Sequence, residues 1–211
     1  GFHGDQRHLG NVLIQTAADI SDENLARMGN RESLSALVEI ESYITPYSDV
    51  VALLVVEHQI EVQNKIARTN FYARTLLDEK DQLEENEVVR GLEILGQELL
   101  HSLFMVGQPP LTDAIEGTSG FKEAFEEKGR KDAVGRSLWD LDMERRLFKY
   151  PLSYLIYSNA YAGLPTQIKE IVETRIEEIL SDDNKEETYS HLSSDDKQAI
   201  RAIISATNWN S

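Results

Sequence analysis

After Pro46 the chain runs as far as Glu79 without a glycine or a second proline. An uninterrupted stretch of that length is a helix or nothing regular, and at 1.5 Å per residue it reaches about 50 Å. A compact globule of 211 residues has a radius of gyration of only about 17 Å. The helix must therefore bend around the core or project from it. Thr45 and Pro46 supply an N-cap and first-turn pair, and predict its start. Val50, Val51, Leu53, Leu54, Val55 and Val56 are apolar all round the first turns, which predicts burial on every side. Ile60, Ala67 and Phe71 continue one apolar stripe into a polar stretch.

A charged segment, residues 78–87, reads as an exposed turn leading into a second long helix over residues 86–106. Val88, Leu92, Leu95, Leu99 and Leu103 form its stripe, and Gly107 with Pro109 and Pro110 stops it. Shorter pieces follow. Residues 121–128 form a small helix closed by Gly129, and Ser137 with Asp140 reads as a capping box opening a helix to Tyr150. Residues 152–162 continue helically. Pro165 starts another helix with Ile168, Val172, Ile176 and Ile179 inward, and Ser193 with Asp196 caps the last. Before all of these, Val12, Leu13 and Ile14 suggest a short strand. The expected fold is all-α: an irregular helical bundle built on two long antiparallel helices, with a short extended N-terminal segment. Residues 1–211 are expected to form one helical domain. The abrupt opening, without an initiator methionine or a signal peptide, predicts that it was excised from a longer protein.

Thirty-seven acids against 21 bases give a net charge of −16, and no basic cluster reverses that field locally. Nucleic acid and anionic lipid are therefore excluded as partners. No apolar run approaches the roughly 20 residues of a membrane span. The absence of cysteine removes disulfides, thiolate catalysis, zinc–thiolate sites and covalent c-type haem attachment within this chain. Residues 117–120 lack the spacing of a nucleophile elbow, and no phosphate loop or dinucleotide fingerprint is present.

Four groups carry possible chemistry. Glu57, His58 and Glu61, with Asn64 and Arg68 extending the row, share a helical flank; they read as metal ligands, a haem-contacting histidine, or a polar network stapling the core. Glu98 and His101 have the Glu-x-x-His spacing of carboxylate-bridged di-metal bundles, so Glu57, Glu61, Glu98 and His101 form one alternative metal set; a surface ion pair is the plainer account. Tyr150, Tyr154, Tyr157 and Tyr161 would fall on one face of a continuous helix, as core or as a cofactor wall. Finally, His3 and His8 stand on a glycine-flexed loop with Asp5 and Arg7, where two imidazoles would suit haem iron or a divalent metal.

Taken together, residues 3–11, 43–53, 57–59, 117–121, 136–142 and 146–158 resemble the C-terminal region of a family of uncharacterised exported bacterial proteins. Members of that family carry an upstream part like a c-type cytochrome, with a Cys-x-x-Cys-His haem site. The resemblance implies a helical domain of a periplasmic or otherwise exported haem-associated redox or electron-transfer protein. It would help to form the pocket of a haem c held by the parent protein's upstream segment, with a redox protein as a further partner. His3, His8 or His58 would be candidate haem ligands, and Arg7, Tyr154 and Tyr157 candidate pocket residues. The alternative function is a non-catalytic helical binding or scaffold module.

Overall fold

The computed structural model describes residues 2–3, 6–7, 39–42, 49–117 and 119–207. These residues are mostly helical. Six α-helices follow one another: α1 (Val50–Asp78), α2 (Glu85–Leu103), α3 (Phe121–Glu127), α4 (Asn159–Ala162), α5 (Thr166–Leu180) and α6 (Ser194–Ala206). Three two-residue strands, β1 (Phe2–His3), β2 (Gln6–Arg7) and β3 (Ile115–Glu116), pair antiparallel in the order β2-β1-β3. The chain divides into two compact units, one from residues 1–56, 109–128 and 141–149, the other from residues 57–108, 129–140 and 150–211. None of the described helices is long and apolar enough to cross a membrane.

In the first unit a carboxylate organises the start of α1. Asp49 Oδ1 accepts from the backbone N–H groups of Val51 at 2.8 Å and Ala52 at 3.3 Å, which is N-cap geometry. Its other oxygen takes the hydroxyl and the backbone N–H of Ser119. A Cβ on Gly117 would lie 2.8 Å from Asp49 Oδ2, so the close approach of that loop requires glycine. Partial burial pushes the Asp49 carboxyl upward, but the bonds from Ser119, Ala52 and Val51 outweigh it and hold its pKa low. The described helix starts at Val50; the expected start at Thr45 and Pro46 and the expected strand at residues 12–14 lie outside the described residues. Elsewhere in this unit, Asp142 Oδ1 accepts from the N–H groups of Glu144 and Arg145. The turn it holds places Met143 at φ 65°, and Leu141 bridges back to Phe148.

The second unit carries the helical core. Glu84 and Glu87 cap α2 reciprocally, and Ser193 and Asp196 do the same for α6, as the capping-box spacing predicts. Ile168, Val172, Ile176 and Ile179 of α5 and Ile200, Ile203 and Ile204 of α6 are buried, as their helical spacing requires. Lys65 of α1 reaches Glu98 of α2 at 3.2 Å, while Leu76 fills the space left by Gly91; the long helices are thus antiparallel neighbours. Gly96 lets α2 and α5 meet closely, since a Cβ there would sit 2.9 Å from Ile171 Cγ2. Carbonyls at the end of α5 and in the loop after it are satisfied by side chains from α6: Arg201 donates to Leu180 O, and the buried Lys197 donates to Ser181 O and to Asn184 O of the loop.

Two expectations fail. The first turns of α1 are not buried all round: Val51 and Val55 are, but Leu53 is 50% exposed and Val56 45%. The helix expected from Ser137 to Tyr150 does not form. Ser137 and Asp140 make their local bonds (Ser137 N–H to Asp140 Oδ2 at 3.1 Å) around a single turn. The reason is local, because the Asp142 turn and the bridge at Leu141 take the backbone out of the helical region before a second turn can close.

Candidate functional site

His58 occupies the inner face of α1, one turn before Val62 and one after Val55. Opposite it stands Ser153, where the chain leaves Pro151 and enters a 3-10 turn spanning Tyr154–Tyr157. Ser153 is fixed three ways. Its N–H donates to Leu103 O at 2.8 Å, its hydroxyl oxygen accepts from Leu155 N–H, and the same oxygen lies 2.8 Å from His58 Nε2. An imidazole against a serine hydroxyl is the pairing of a base and its nucleophile. Here Ser153 has no exposed surface and His58 only 3%, so no substrate reaches the pair in the folded protein. Burial drives the imidazole pKa down to about 4, and the ring is neutral at pH 7. The pair is a buried hydrogen bond inside the core.

An aromatic row runs outward from it. Tyr154 lies 6.2 Å from the His58 ring, and its hydroxyl donates to Gln59 Oε1 at 3.3 Å. Trp139 packs between Tyr154 at 5.0 Å and Tyr157 at 5.2 Å, and Arg130 sits 4.8 Å over the Tyr157 ring. The Tyr157 hydroxyl shares a 2.6 Å bond with Thr207. Burial raises the Tyr154 hydroxyl to about 12. It raises Tyr157 as well, against opposing effects from Thr207 and Arg130. These phenols stay protonated at neutral pH.

The four tyrosines do not share a helical face. Tyr150 precedes Pro151, Tyr154 and Tyr157 belong to the 3-10 turn, and Tyr161 lies in α4 after Ser158 has capped a new start. Tyr154 and Tyr157 come together through Trp139 rather than through helical periodicity.

The metal set is also corrected. Glu57 and Glu61 are exposed. Glu98 is held by Lys65, and His101 Nε2 lies 2.9 Å from Gln97 Nε2, whose amide also donates to Tyr189. Among the described residues no three histidine or carboxylate side chains converge as ligands. The spacing placed Glu98 and His101 one turn apart, but both are part-buried and each finds a separate partner. As for the opening segment, the backbone of His3 pairs with Gln6 and Ile115, and that of Arg7 with Phe2. Their side chains, and His8 altogether, lie outside the described residues.

Ser153, Gln97 and Thr207 were not singled out by sequence reasoning. Ser153 alone left a trace, as a small polar residue set between Leu152 and the apolar run beginning at Tyr154.

The described residues suit a haem poorly at His58, because an iron could reach Nε2 only after Ser153 had been moved aside. The chain matches no protein-family model, no curated protein and no solved structure.

Proposed function

We propose that this chain is a non-catalytic helical module that holds or binds other protein. The observation that carries the reading is the fate of its chemically capable side chains. His58 and Ser153 are spent on each other in the core, Tyr157 on Thr207, Tyr154 on Gln59, His101 on Gln97, and His191 Nε2 lies 2.8 Å from the Phe104 carbonyl. A site that acts on a small molecule presents such groups convergently in a cleft; here they staple elements together. The test is a titration of the 211-residue chain with ferric haem, followed in the Soret region. The module reading expects a spectrum no different from haem with a non-binding protein. A new Soret band that disappears in His58→Leu would overturn it.

A second reading keeps the chain as part of an exported haem-associated redox protein, in which it borders a haem c carried by an upstream segment. Support comes from the resemblance and from the β1–β2 pair, which ties His3 and Arg7 to the unit containing β3. The longer protein, expressed with c-type haem maturation, separates the two. A haem spectrum that changes on replacing His3 or His8 favours the redox role; a colourless product removes it.

A further inference from the structure

The outer face of α1 is the feature that internal packing leaves unexplained. Ile60 is 54% exposed and Phe71 66%, with Ala67 between them also exposed. These positions follow one another at the spacing of a coiled-coil seam, and Asn64, also exposed, sits within the same stripe. The charges beside the stripe are segregated. Glu57 and Glu61 flank its first half and Arg68 its second, all three exposed and none in an ion pair among the described residues. Arg68 instead lies 5.7 Å over the ring of Tyr72.

A stripe acidic at one end and basic at the other is complementary to itself when reversed. We propose that two copies of the chain pair antiparallel through this face of α1, about a two-fold axis passing near Asn64. The axis sets Ile60 of each copy against Ala67 of the other and brings Glu57 and Glu61 alongside the opposing Arg68. It also places the two Asn64 amides where they hydrogen-bond each other, a polar contact of the kind that fixes register in helical seams. Such an interface is isologous and closes at two copies. The overall charge of −16 repels copies in every approach, but that long-range term is screened within about 8 Å at physiological salt, leaving the contact pairs to select the orientation. The inference extends the module reading by naming the partner, and it can fail while that reading stands, because a monomeric module would still bind no haem.

Because the chain has no cysteine, single cysteines report the geometry cleanly. Asn64→Cys, at the axis, is expected to form an intermolecular disulfide under mild oxidation, since Cα atoms about 5.5 Å apart can be bridged. Phe71→Cys is expected not to, because two-fold pairing separates the two copies of position 71 by about 21 Å along the helices. Sedimentation of the unmodified chain over roughly 1–100 µM should show a species of twice 23.9 kDa. Arg68→Glu should weaken it, and the triple variant Glu57→Arg, Glu61→Arg, Arg68→Glu should restore it, with circular dichroism confirming that each variant is folded. A monomer throughout that range, cross-linking at both positions (a parallel pair), cross-linking at neither, or failure of the triple variant to restore association overturns the proposal.

Discussion

Both faces of α1 carry apolar side chains, and these meet opposite fates. On the inner face His58, Val62, Ile66, Thr69 and Ala73 are all buried. On the outer face Ile60, Ala67 and Phe71 are exposed at the same helical spacing. Hydrophobicity alone therefore does not account for each position: the inner face admits a histidine and a threonine, while three apolar side chains stay outside among Asn64, Glu57, Glu61 and Arg68. What distinguishes the inner face is that its histidine has a hydrogen-bond partner in Ser153, and that Val62 and Ile66 are almost wholly withdrawn from solvent. A buried polar group is tolerated when its hydrogen bond is supplied, and an exposed apolar one costs little until another surface is offered.

The sharpest way to break this contrast is to empty the inner face. Ile66→Ala removes a side chain with 1% exposure and is expected to cost about 2–5 kcal/mol in urea unfolding. A loss no larger than that of an outer-face change would mean the inner face is not packed as described.

The next effect is on pH. His58 has a pKa of about 4 when folded against 6.5 ordinarily. Between those values the unfolded chain binds a proton that the folded chain refuses, so stability falls as pH drops from 6.5 towards 4, by about 3 kcal/mol in all. Above pH 6.5 His58 contributes no pH dependence. In His58→Gln that component of the slope should vanish when unfolding free energies of the two proteins are compared across the window. Parallel slopes would show that the imidazole titrates normally.

Ser153→Ala leaves the imidazole nitrogen and the Leu155 N–H without their shared oxygen, and should cost about 1–3 kcal/mol with a smaller shift in the pH profile. Smallest of all, Ile60→Asn and Phe71→Ser should change the unfolding free energy of the dilute monomer by no more than about 0.5 kcal/mol, while removing any concentration-dependent increase in melting temperature. If they destabilise the dilute monomer as much as Ile66→Ala, the outer face is covered within one chain.

Much of the helical framework was legible because its signals are local. The Ser193–Asp196 box and the stripe of α5 each act within a few residues, and the structure has a cap and a buried face at those places; α2, by contrast, ends at Leu103, ahead of Gly107, with Met105 already at φ 57°. The segment from Ser137 to Tyr150 misled for the same reason. Its capping residues make the bonds expected of them, but a competing Asp142 turn a few residues on takes the chain elsewhere, and neither signal carries its relative strength in the letters.

The candidate site was the least readable part. His58 and Ser153 are 95 positions apart, and nothing in either neighbourhood names the other. Glu98 and His101 look like half of a metal site because helical spacing puts them on adjacent turns; it does not say that Lys65 will reach one and Gln97 the other. Helix positions, caps and total charge follow from propensities and periodicities that a linear chain already contains. Which stripe of α1 goes inside, which polar groups meet there, and whether a histidine is neutral depend on the shapes and hydrogen-bonding groups of distant segments, and exist only once those segments have packed.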